Sequence, residues 1–192
     1  IDTGSGDVIV ETGATTRNID TGSGSVELAA GASAGRIDTG SGSVRLGADA
    51  KAGVIDVGSG SIRLASGTRS ERIDTGSGSV IGAERVQIDG DIDTGSGSVE
   101  LGAGSTVRGT IDTGSGSVEL EGVTLEGDLD TGSGDIALRD TQVRGDVVTN
   151  SGAVALAGNT RIAGDLVIRK STCWGWCWSS DEPTRVVIGA SA

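Results

Sequence analysis

The chain has 192 residues, 35 of them Gly, with one Pro, three Trp and no Phe, Tyr, His or Met, so its core must be thin and built from Ile, Val, Leu, Ala and Thr. It carries 27 acidic against 15 basic residues, a net charge of −12, which argues against a nucleic-acid backbone as partner. No apolar run reaches membrane-spanning length, and the apolar residues keep a regular period that disordered Gly/Ser-rich chains lack.

The first ten residues, Ile1-Asp2-Thr3-Gly4-Ser5-Gly6-Asp7-Val8-Ile9-Val10, set a phrase that returns at Ile19, Ile37, Ile55, Ile73, Ile92, Ile111, Leu129 and Val147. Repeats only 18 or 19 residues long cannot bury a core alone, so each must stack on its neighbours. Residues 1–170 are therefore expected to form an all-β parallel β-solenoid of about 18 residues per coil and roughly ten coils. Rising about 4.8 Å per coil, they would make a rod on the order of 50 Å long. The absence of Met and the opening inside a repeat imply that a segment precedes Ile1.

Each coil begins with Ile-Asp-Thr, which places Ile and Thr on one side of a strand and Asp on the other. Val57 stands where other coils have Thr, so this position is expected to face inward, with a hydroxyl that is not individually required. Gly-Ser-Gly then turns the chain. Asn150 replaces the first of these glycines, and Asn is the non-Gly residue that best tolerates positive φ, so a left-handed backbone is expected there. Val-x-Leu follows, as in Val26-Glu27-Leu28, with the period of a half-buried strand. Its outward residue runs Ile9, Glu27, Arg45, Arg63, Ile81, Glu100, Glu119. Glu27 above Arg45 is a favourable pair of a few tenths of a kcal/mol, and Glu100 above Glu119 is not. A third inward position runs Thr16, Ala34, Ala52, Ser70, Ile88, Val107, Leu125, Val143, Ile162. It is small at first and bulky later, and the connection to the next Ile lengthens in parallel, so the cross-section should widen towards the C-terminus.

The Asp column comprises Asp2, Asp20, Asp38, Asp56, Asp74, Asp93, Asp112 and Asp130. Asp-Thr-Gly-Ser is also the aspartic-protease signature, but eight copies in a row do not make two carboxylates facing across a cleft. Like charges one coil apart repel by about 0.9 kcal/mol in water. One remedy is a turn in which each carboxylate accepts the following Gly and Ser amides. The other is a Ca²⁺ ion bridging successive carboxylates. The chain lacks a nine-residue calcium-roll spacing and has Val148 at this place in the ninth repeat, which favours the turn. A regular Thr column can bind ice only if it faces outward, which Val57 argues against.

Residues 171–184 interrupt the pattern with Cys173-Trp174-Gly175-Trp176-Cys177-Trp178. Two Cys and no His are too few for a zinc site, and the spacing is not the two-residue gap of thioredoxin-like redox motifs. A small Cys173–Cys177 disulfide loop suits an exported protein and is worth about 2 kcal/mol. Trp174, Trp176 and Trp178 either cap the apolar end of the rod or form an adhesive contact for protein or sugar. Residues 185–192 return to strand character, with Val186 and Ile188 in the Val-x-Leu pattern, and complete the solenoid. Ile1, Thr3, Val8 and Val10 of one molecule could receive Val186 and Ile188 of another and so build a filament. The other reading is one stretch of a longer solenoid.

The run Ile-Asp-Thr-Gly-Ser-Gly-Ser-Val-Glu-Leu resembles bacterial adhesin-type β-solenoids of unassigned function. Arg185-Val186-Val187-Ile188-Gly189 resembles a strand phrase of those proteins and of the polymer-forming bactofilins. The resemblance implies an exported, surface-associated, right-handed β-helix and carries no catalytic residue. The expected function is a non-enzymatic structural subunit of an extracellular or cell-surface fibre. Its partner would be itself, with the cell surface or a polysaccharide as further partners, and it needs no cofactor unless Ca²⁺ occupies the Asp column. The alternative is a monomeric adhesin or ligand-binding solenoid for polysaccharide, Ca²⁺ or ice.

Overall fold

The computed structural model describes residues 1–169 and the strand Val186–Ile188. Their strands form two sheets, of fifteen and ten strands, paired in parallel throughout, and the described residues contain no helix. Ile19 pairs with Ile37, Ile37 with Ile55 and Ile55 with Ile73, and the column continues through Ile92, Ile111, Leu129 and Val147 to Leu166. The protein is thus a parallel β-solenoid of about nine turns with roughly 18 residues each, as the period requires.

The Val-x-Leu strands stack in the second sheet from Val8–Val10 at one end to Val186–Ile188 at the other. Val26–Leu28, Val44–Leu46 and Ile62–Leu64 alternate buried, exposed, buried, and their β-branched and Leu side chains fill the interior. The first sheet covers the remaining sides. In the first coils one strand of seven residues, such as Ser33–Thr39, spans two of these sides. From the fifth coil onward it divides, as into Gln87–Ile88 and Ile92–Thr94, so the sheet forks at Arg69–Thr75. The cause is one inserted residue: three steps separate Ser70 from Ile73, and four separate Ile88 from Ile92. The inserted corner coincides with a bulkier interior, where Ile88, Val107 and Leu125 are fully buried in place of Ala34, Ala52 and Ser70.

A further inward column was not anticipated from the sequence. Ala32, Ala50, Thr68, Val86, Ser105, Val123 and Thr141 are buried at the corner after the Val-x-Leu strand. It complements the Leu column. Where Gly82 stands in place of Leu, Val86 occupies the neighbouring space, and a Cβ on Gly82 would crowd Val86 and Leu101. Val86 thus offsets the missing Leu in this coil, whereas Leu120 and Val123 are both large and both buried in a later one.

The Thr column faces inward and is buried from Thr21 to Thr149, with Val57 in its line. Its hydroxyls close the Gly-Ser-Gly turn: Gly24 donates its amide to Thr21 Oγ1 at 2.9 Å, and Gly42 to Thr39 Oγ1 at 3.0 Å. The second glycine of each turn packs directly beneath the carbonyl of its counterpart one coil earlier, where no Cβ fits, as at Gly78 and Gly97. The left-handed conformation expected at Asn150 is not there. It falls at the other corner, once per coil, on Gly13, Gly31, Asp49, Gly67, Arg85, Gly104, Gly122, Asp140 and Gly158, with φ between 51° and 77°. Gly-Ser-Gly is thus selected by close approach between coils, and Asn150 instead donates its amide to Thr131 O at 3.2 Å, as the glycines do in other coils.

Candidate functional site

The outward Asp residues stand in register, Asp20 beside Asp38, Asp38 beside Asp56 and so on to Asp130, and none faces another across a cleft. The local turn expected to neutralise them does not form. Gly22 donates to Thr3 O at 3.2 Å and Ser23 to Gly4 O at 3.0 Å, and the same pattern recurs at Gly40 and Ser41 and at Gly95 and Ser96. In a parallel stack these amides are committed to the preceding coil, so none remains for the carboxylate.

Compensation comes from Arg side chains in the first half. Arg36 reaches Asp38 at 2.9 Å and Asp56 at 3.1 Å, and Arg72 lies 3.7 Å from Asp74. Farther along, Asp112 has no such partner among the described ion pairs. Partial burial, and then the carboxylates of Asp93 and Asp130, hold its pKa above the usual carboxylate range. Among the described residues no group of three or more acidic, Cys or His side chains is arranged to hold a metal ion.

A second set of carboxylates was missed by the sequence reading. Asp91 accepts the Thr110 amide at 2.9 Å, Asp128 the Asp146 amide at 2.8 Å, and Asp146 the Asp165 amide at 2.7 Å. Asp7 and Asp135 do the same at the start of the Val-x-Leu strand, for Ser25 and Ala153. These side chains continue coil-to-coil bonding at corners where the backbone turns away. The signal was present: Gly90-Asp91, Gly127-Asp128, Gly145-Asp146 and Gly164-Asp165 recur at the coil period.

The proposed interface residues lie at the ends of the rod. Val8 and Val10 are buried and pair with Val26 and Leu28, whereas Ile1 and Ile9 are 60% and 64% exposed. Thr3 is half-buried, and its hydroxyl accepts the Gly6 amide at 3.1 Å. At the opposite end Val186 and Ile188 pair in register with Val154 and Leu156. Cys173, Cys177, Trp174, Trp176 and Trp178 lie outside the described residues. On the outer face of the second sheet Glu27 neighbours Arg45, and Glu100 neighbours Glu119, as the period required.

These features define a repeat protein whose columns run along one axis. Residues 73–172, just over half of the chain, match the model of the Toastrack DUF4097 family, a domain family of unknown function with a β-solenoid-like fold, and the chain belongs to it. The match begins at Ile73, within the strand where the first sheet forks. No curated protein and no solved structure matches the chain.

Proposed function

We propose that this solenoid is a non-enzymatic structural subunit of an exported, cell-surface fibre, stacking head to tail through its strand edges. The observation that carries the reading is the placement of Val8–Val10 and Val186–Ile188 as opposite outer strands of one continuous parallel sheet. A second copy bringing Val186 and Ile188 against Val8 and Val10 would extend the columns of the second sheet by the same parallel pairing. Such a contact is heterologous and does not close, so it propagates. The adhesin-type and bactofilin-like phrases of the sequence support a surface, polymer-forming role. Electron microscopy of the purified full chain is expected to show filaments with an axial repeat of about 4.8 Å; rods that stay separate at high protein concentration overturn the proposal.

The second reading, a monomeric solenoid that binds Ca²⁺ or polysaccharide, draws its support from the uncompensated Asp93, Asp112 and Asp130 row. Calorimetry with Ca²⁺ separates the two: saturable heat from monomeric rods favours the second. The Thr column is buried, so it offers no outward plane to ice.

A further inference from the structure

The outer face of the second sheet carries a depression of about 380 Å³, lined by the edges of Leu46, Leu64 and Ile81 and by Gly47, Ala65 and Ala83. It opens because the residue after the Leu column is small in these coils; in later coils Glu121 and Arg139 take that place. Arg45 and Arg63 stand beside it in adjacent register, and they also line a smaller depression of about 120 Å³ on the other side, with Ser25 and Ser43. Neither guanidinium takes part in an ion pair or hydrogen bond among the described residues.

We propose that this groove binds a single-chain anionic amphiphile in free solution, with its carboxylate held by Arg45 and Arg63 and its alkyl chain laid along the apolar floor towards Ile81. Two permanently charged guanidiniums one strand apart repel each other, and one anion between them relieves the repulsion through forked hydrogen bonds. The order Glu27, Arg45, Arg63, Ile81 fixes the direction. Glu27 repels an anion at one end, and Ile81 offers apolar surface at the other. Ile81 lies one strand spacing from Arg63 and two from Arg45, about 5 and 10 Å, which suits a medium-length chain. The lining has few groups able to bond sugar hydroxyls and no aromatic ring to stack on a sugar face, so an alkyl chain fits it better than a saccharide. The site is independent of self-association.

Isothermal titration of the full chain with octanoate and decanoate, below their micellar range, tests this. Saturable binding of one decanoate is expected, tighter than octanoate by roughly two- to fourfold per methylene, weakening with added NaCl, and absent for acetate. Arg45→Gln with Arg63→Gln should lower affinity at least tenfold with the circular dichroism spectrum unchanged, and Glu27→Gln should raise it severalfold. No saturable decanoate binding, equal affinity in the double Gln variant, or binding of polygalacturonate in place of decanoate each overturns the proposal.

Discussion

Thr68 is fully buried, and its hydroxyl has no hydrogen-bond partner among the described residues. Its neighbours in the column, Ala50 and Val86, are apolar. An unsatisfied buried hydroxyl costs about 1–3 kcal/mol, and Val has the same shape. Thr68→Val is therefore expected to raise stability by about 1 kcal/mol in urea denaturation. The opposite holds for Thr94, whose hydroxyl donates to Gly97 O at 2.6 Å; Thr94→Val should lose about 1 kcal/mol. Arg85 stands in the left-handed column with φ 58°. Asp49 and Asp140 in the same column are of a type that visits this region, and Arg is not. Arg85→Gly should raise the melting temperature, with a gain of about 1 kcal/mol less the extra freedom Gly gives the unfolded chain. This column escaped the sequence reading because Asn150 drew attention to the wrong corner. A glycine conserved in the phrase by close approach looks, in one sequence, the same as a glycine selected for φ.

At the scale of the strand and its neighbours, Gly82 and Val86 make a coupled pair. Gly82→Leu alone should destabilise by about 1–3 kcal/mol through overpacking against Val86 and Leu101. Adding Val86→Ala should recover much of that loss, and a double-mutant cycle measured by denaturation would give a coupling energy well above zero. The Leu column was legible from period two, but its complement was not, because Ala, Thr, Ser and Val at one position show no common hydrophobic pattern. The Asp ladder makes a pH-dependent prediction at the same scale. Asp112 binds its proton more tightly in the folded chain than in the unfolded one. Its contribution is therefore most favourable below the unfolded value, near pH 4, and is lost as pH rises through the folded value. Asp112→Asn should raise the melting temperature at pH 7, and the gain should vanish near pH 3. The local turn expected for these carboxylates failed because that reading paired amides within a coil, whereas parallel stacking sends them to the coil before.

For the whole molecule, the period alone determined the architecture. Once Ile19, Ile37 and Ile55 repeat at equal spacing, the in-register columns, the inward Thr and the outward Asp follow from strand geometry. What the period could not supply was where each corner would place its extra residue, since a coil can lengthen at one corner and shorten at another and still total 18. The chain does this between Leu120 and Leu125, five steps where earlier coils use six. The forked strand Arg69–Thr75 joins these two formats. It works as a break-of-gauge junction: the coils before it keep one set of corner lengths, those after it have the longer corner before Ile and vary at the other, and an exchange across it would meet a mismatched corner. Lengthening by duplication of whole coils is thus easiest in the uniform stretch before the adaptor, and the adaptor itself must remain single.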